Sequence, residues 1–286
     1  MSMVERKKIA WTAFAVIAVG LALTGFADDT SDTYADEAFK RALVTFAVAR
    51  SLNGVISVAQ GTEVAVEPGG VGVNLTVGQI LDPINDLIEQ FSSVMLVATT
   101  SLGLQNLLLG MAGWWGVTLV LGAAALFLII STWWPGGAAR ATSALAMKIF
   151  LITVFLRFAL PALIIGTHVV FAAFLEEEHD AATAVLEATS SEIQELNQEE
   201  TAASTTAEDQ SWMTRLGDMI DSSMQSLDVS GRIERLKASA SSASEQIVRL
   251  IVIFVMQTII LPLVFLWLLV EGLKGIAGRA TRLTPD

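Results

Sequence analysis

Four residues stand out as carriers of chemistry: Arg157, Pro161, Gln257 and Pro262. Arg157 sits inside a long apolar stretch, and an ionisable side chain at membrane depth is a functional candidate by default. It is also only seven residues past Phe150, roughly 10 Å into a helix, and Arg spans part of such a distance with its aliphatic stem. It therefore reads either as an ion-pathway or helix-pairing residue, or as a structural cation reaching an interface. Pro161 and Pro262 each follow a Leu inside an apolar stretch. Each removes the backbone bond to the carbonyl four residues back, which belongs to Arg157 and to Thr258. Gln257 adjoins the latter. Paired kinked helices beside polar residues mark transport sites, although Pro is common in membrane helices generally.

His168 and His179 are the two histidines, eleven residues apart, with Glu176 nearby. That spacing puts them on one helix face, but no ligand motif accompanies them, and an acidic helix leaving a membrane is ordinarily a solvated end. No nucleophile elbow, P-loop, dinucleotide-binding glycine pattern or zinc-protease helix occurs. Without cysteine there are no disulfides or thiolate sites. The reading is a non-enzyme, with no catalytic residue, cofactor or metal assigned.

The elements that carry these residues are membrane helices. The 286 residues are 53% hydrophobic and 16% charged, well below the ~25% charge of soluble domains. A bilayer core of ~30 Å needs ~20 apolar helical residues. The segmentation is 1–27, a signal anchor or cleavable signal peptide; 28–114, an outer region; 115–134, a transmembrane helix; 135–149, a cytoplasmic loop; 150–175, a second span; 176–249, an outer acidic arm; 250–270, a third span; and 271–286, a cytoplasmic tail. Span 115–134 carries its own ruler. Trp114 and Trp115 stand at one end and Trp133 and Trp134 at the other, the interfacial pattern of aromatic belts. For 1–27, Gly25 and Ala27 before Asp28 offer small residues to a signal peptidase.

Segment charges alternate. The N-terminus and residues 135–149 each carry +2 and the tail +1, while 28–89 carries −7 and 176–245 carries −12. Under the positive-inside rule both termini face the cytoplasm and both acidic regions face outward. The net charge of −12 argues against nucleic acid as a partner.

Within the first outer region, Phe39, Leu43, Phe46, Ala47 and Val48 recur at helical spacing, after a polar lead-in at 28–36 expected to be mobile. Glu63–Glu67 and Val73–Val77 alternate around Pro68-Gly69-Gly70 and read as a β-hairpin. Asp82-Pro83 reads as a helix start, followed by a stripe of Ile84, Leu87, Ile88, Phe91 and Met95. Residues 91–109 are apolar yet carry seven polar side chains. They read as an interfacial or packed helix, with a fifth membrane segment or a re-entrant pair as the competing assignments.

In the second outer region Leu186, Ile193 and Leu196 form a sparse stripe, 201–209 reads as a linker, and Met213–Leu227 as a short amphipathic helix. The small residues Ala238–Ser244 permit close helix approach. The expected fold is mainly α, with three or four transmembrane helices, an outward-facing helical arm and a small helix-plus-hairpin region. The expected setting is a bacterial inner membrane with most soluble mass periplasmic. The expected role is a scaffold or accessory subunit that binds protein partners, or itself, through acidic helices. The alternative is an oligomeric channel or transporter component.

Overall fold

The computed structural model describes residues 3–61, 77–134, 139–206, 234, 238–239 and 241–282. The helices are α1 (Met3–Thr24), α2 (Phe26–Gly61), α3 (Val77–Gly113), α4 (Trp115–Trp133), α5 (Ala139–Phe174), α6 (Glu176–Thr206) and α7 (241–282). A π-helical turn, Met256–Ile260, lies inside α7, which then continues over Leu261–Arg282. No strand occurs among the described residues. The expected hairpin falls on residues outside them, apart from Val77, which opens α3, and so does the short helix 213–227. The expected linker 201–209 is instead helical as far as Thr206, where α6 ends.

Six stretches are long and apolar enough to cross a membrane: Glu5–Thr24, Phe26–Val58, Asp82–Gly113, Trp115–Trp133, Thr142–Phe174 and Ser241–Ile276. Length and composition thus offer more candidate spans than the expected three or four. The sequence reading discounts residues 91–109 for their polar side chains and reads α2 as part of an outer region. Yet the hydroxyls along α2 close onto their own helix, as when Ser31 donates to the Ala27 carbonyl at 2.7 Å, and need no water. The lead-in 28–36 is helical too, with Asp28 and Asp29 in the first turn of α2, where a carboxylate meets the positive end of the helix dipole. Pro83 is an interior residue, α3 having begun six residues earlier. Likewise α5 occupies most of the expected loop 135–149, and the terminal helix extends to Arg282 through most of the expected tail.

The chain divides into two compact units. Unit 1 holds Met1–Arg41, Thr99–Ala173 and Val255–Asp286; unit 2 holds Ala42–Ala98 and Phe174–Phe254. In unit 1 the contacts progress steadily along the helices. Phe14 meets Phe150, Asp28 meets Arg157, Tyr34 stacks on His168, and Arg41 lies over Phe171. So α1 and the start of α2 climb α5 in one direction. Going the other way, Gly103 approaches Phe39, Asn106 bonds Asp36, Gly113 approaches Asp28, and Trp133 bonds Thr12. The end of α3 and all of α4 therefore descend along α2 and α1. With α7 running antiparallel to α5, unit 1 consists of four paths. The α1–α2 path turns at Gly25, whose φ of 67° is a conformation that side-chain-bearing residues avoid.

What packs these paths is a seam of period 3.5. In α2 the buried residues are Ser31, Ala35, Ala38, Ala42, Thr45, Ala49, Leu52 and Ile56, alternating steps of four and three. In α3 Ile84, Ile88, Phe91, Met95, Ala98 and Leu102 follow the same rule, and in α7 Ala243, Ile247, Leu250, Phe254, Gln257 and Leu261 do so. Alternating three- and four-residue steps are the knobs-into-holes pattern of coiled coils, here in antiparallel bundles. The expected α2 stripe is corrected by this. Leu43 is exposed, and the small residues Ala38, Ala42 and Ala49 face inward instead. Small seam residues let helix axes approach closely, which turns the larger apolar side chains outward. At Gly166 the approach is so close that a Cβ would stand 2.7 Å from the Phe265 ring.

Candidate functional site

Arg157 occupies the α5 seam in unit 1 and is 1% exposed. A lone guanidinium there would be costly, and each of its donor groups is met. Nη1 donates to Asp28 Oδ1 at 2.6 Å and Nη2 to Asp28 Oδ2, a bidentate pair. Nε donates to Thr118 Oγ1 at 3.2 Å, and Nη2 reaches the Ala22 carbonyl at 3.4 Å. One side chain thereby ties together the end of α1, the start of α2, the start of α4 and the middle of α5. Thr118 is only three residues beyond Trp115, so the clamp lies close to the Trp114–Trp115 end of α4. Pro161 follows one turn later without interrupting α5.

A second polar cluster lies farther along α5, where Tyr34, Arg41, Gln105, Thr167, His168 and Gln257 line a small cavity in unit 1. His168 stacks on Tyr34 with centroids 3.7 Å apart and planes 8° from parallel. The Arg41 guanidinium carbon is 4.1 Å from the Phe171 centroid, a cation–π distance. Gln257 is 3% exposed and Thr167 8%, yet Gln257 Oε1, Thr167 Oγ1 and His168 Nδ1 are buried without a hydrogen-bond partner. Buried polar atoms are rarely left so.

The π-turn brings Thr258 inward beside the seam residue Gln257. Pro262 cannot donate to Thr258, and the chain widens just before it, with the Leu261 amide bonding the Met256 carbonyl. A wider turn brings the neighbours Gln257 and Thr258 both into the interior, and π-turns recur at functional sites. Of the four sequence candidates, then, Gln257 and Pro262 belong to the cavity's construction. Arg157 belongs to the clamp, with Pro161 beside it.

The two histidines do not share a site. His168 lines the unit 1 cavity, whereas His179 lies in unit 2, 4% exposed. Its Nδ1 is 2.9 Å from Asp180 Oδ1 and its Nε2 3.2 Å from Thr45 Oγ1. A carboxylate only accepts, so Nδ1 carries the proton and, in the neutral ring, Nε2 accepts from the hydroxyl. No group of three or more metal-type ligands occurs among the described residues.

Sequence reasoning missed Asp28, Tyr34 and Arg41 as site residues, whereas Gln105 is one of the seven polar side chains of 91–109. Asp28 was assigned to a mobile lead-in. The available signal was the seam spacing itself, which carries polar residues inward at Ser31, Thr45, Arg157 and Gln257. Compared with protein-family models, curated proteins and solved structures, the chain matches none.

Proposed function

We propose that the protein is a membrane-anchored helical scaffold whose acidic outer helices bind protein partners. The single observation that carries this reading is the construction of α6. Its apolar stripe, with Ala182, Leu186 and Ile193, is already consumed inside unit 2. What remains is a helix whose sequence holds nine Asp or Glu and no Lys or Arg over Glu176–Thr206. Among those carboxylates Glu178 pairs with Arg249 and Glu192 accepts from Ser239. Glu187 and Glu195 stay exposed. A rigid, strongly acidic surface attracts a basic protein face by long-range charge.

Four crossings fit the contact pattern best. Because α1 and α2 climb α5 together, and α3 and α4 descend together, each pair supplies one path rather than a hairpin. The Trp pairs of α4 mark the bilayer, with Arg157 near one interface, which supports its structural role. The charge alternation supports a cytoplasmic side for residues 1–8, for the α4–α5 connection with Arg140 and for the tail, and a place outside an inner membrane for the acidic segment 176–245. The test is affinity purification of the full chain in mild detergent. With wild type we expect a stoichiometric protein partner, or self-association, weakened by added salt and by Glu187→Gln with Glu195→Gln. Recovery of a lone monomer, or a partner indifferent to both, would remove the reading.

A second reading, an oligomeric channel or transporter component, draws on the polar cavity around Gln257. Liposome flux compared between wild type and Gln257→Met separates the two. Flux that the substitution abolishes favours transport, and none in wild type excludes it.

A further inference from the structure

We infer that the end of unit 1 where α1 begins and α4 finishes is a docking site for the phosphate headgroup of an anionic phospholipid. The first observation is a cluster of cations that the chain itself does not answer. Arg6, Lys7 and Lys8 follow one another on α1, and Lys148 is exposed on α5. Ala146 and Phe150, on either side of Lys148, belong to one packed cluster with Ala15 and Ala18 of α1, and Phe14 meets the Phe150 ring edge-on at 5.8 Å. Lys148 therefore stands at the same end of the bundle as the start of α1. Arg157, Arg249 and Lys274 each pair with a carboxylate of this chain. Among the described residues no carboxylate pairs with Arg6, Lys7, Lys8 or Lys148.

The second observation is that one of these cations is held on an indole. Lys8 Nζ lies 5.8 Å from the Trp133 ring centroid, within cation–π range. The Trp133 indole N–H donates to Thr12 Oγ1 at 3.1 Å, and the Thr12 hydroxyl donates to the Lys8 carbonyl at 2.9 Å. Lys8, Thr12 and Trp133 thus close a ring of contacts across α1 and α4 that sets the ammonium beside the indole. Trp133 stays 54% exposed, as an indole at headgroup level does. Its N–H is committed to Thr12, so the donors left for a headgroup are those of the ammonium, which suit phosphate oxygens. The third observation concerns the tails. One turn deeper, Val16 on α1 and Ile130 on α4 are exposed and apolar, a surface for acyl chains continuous with the cations. A soluble anion would use the cations alone; a phospholipid uses both. The inference rests on the membrane reading of α1 and α4, and not on partner binding by the acidic helices.

The experiment uses the full chain purified in mild detergent and titrated with phosphatidylglycerol or, separately, with phosphatidylcholine of the same acyl chains. Retained lipid is counted by native mass spectrometry, and the unfolding midpoint is followed in parallel. We expect phosphatidylglycerol to half-saturate at lower concentration and to raise the midpoint further than phosphatidylcholine, and inorganic phosphate to do neither. Lys8→Gln and Lys148→Gln each weaken phosphatidylglycerol half-saturation about fivefold, the weight of one cation beside an anionic lipid, and leave phosphatidylcholine unchanged. Lys274→Gln, at a cation already paired with Glu271, leaves both unchanged. An equal response to the two lipids would overturn the inference. A Lys274→Gln loss matching that of Lys8→Gln would overturn it in favour of diffuse charge attraction, and a midpoint raised by inorganic phosphate alone in favour of a soluble-anion site. A chain that stays monodisperse once detergent is withdrawn refutes the membrane reading beneath the site, whereas indifference to lipid charge refutes the site alone. The wild-type comparison stands even if a variant fails to fold.

Discussion

Arg157 shows how little a single residue's position along a sequence says about its role. Depth in an apolar stretch left an ion-pathway or helix-pairing role open beside a structural one, and the structure commits its donors to Asp28, Thr118 and the Ala22 carbonyl. Removing one member of a buried pair strands the other charge, which typically costs about 3–5 kcal/mol. We therefore expect Arg157→Leu and Asp28→Leu each to lower unfolding stability in detergent by that amount. The double substitution Asp28→Leu with Arg157→Leu should recover part of the loss, because no charge is left unpaired. Chemical unfolding of the three variants measures it; additive losses in the double variant would contradict the clamp. The Arg was legible as special from its sequence context alone. Its partner was not, because Asp28 is 129 residues away and sits among other carboxylates. The same holds for the cavity. Gln257 stood out beside Pro262, but Tyr34, Arg41 and Gln105 are brought to it only by tertiary packing.

At the scale of elements, α4 and the long apolar runs of α5 and α7 were legible because their composition alone excludes alternatives. The stripe in α3 was legible because Ile84, Ile88, Phe91 and Met95 are both large and periodic. In α2 the same periodicity is carried by Ala, Ser and Thr, which hydropathy ranks below the larger Leu43 on the outer face. Packing decides between the two faces, and mutation reads it directly. Ile56→Ala and Ile88→Ala, both at 0% exposure, should each cost about 2–5 kcal/mol. Val58→Ala, on an exposed face, should stay within ~0.5 kcal/mol. Denaturant midpoints with unchanged slopes would support this ranking, and equal effects at Ile56 and Val58 would refute the seam. A further expectation concerns α1. Ala15, Ala18 and Ala22 pack against Leu121, Ala124, Leu128 and Phe150, and cleavage after Ala27 would remove that wall together with the carbonyl held by Arg157. We expect the mature protein to keep residues 1–27, and intact-mass measurement of the membrane-extracted chain decides it. A mass lacking them would show α1 to be a leader.

For the whole molecule, helix content and a membrane setting followed from composition, whereas the way the helices share paths did not. Sequence windows count six candidate spans, but α1 with α2, and α3 with α4, run end to end along their neighbours in unit 1. The breaks between them, at Gly25 and Trp114, are single residues and carry little signal. Four paths and six crossings both leave the two termini on one side. They differ in the side reached by residues 62–76, which α2 and α3 bracket. The absence of cysteine makes this directly measurable by single-cysteine labelling with a membrane-impermeant thiol reagent in cells whose outer barrier is opened. Cysteines at Ser204, at Gly69 and at Ser143 report the acidic arm, the α2–α3 connection and the segment before the deep part of α5. We expect labelling at Ser204 and Gly69 before lysis and at Ser143 only after it. Labelling at Ser143 before lysis would reverse the orientation and remove the acidic helices from the outer face. Protection at Gly69 with Ser204 labelled would contradict the four-path membrane arrangement.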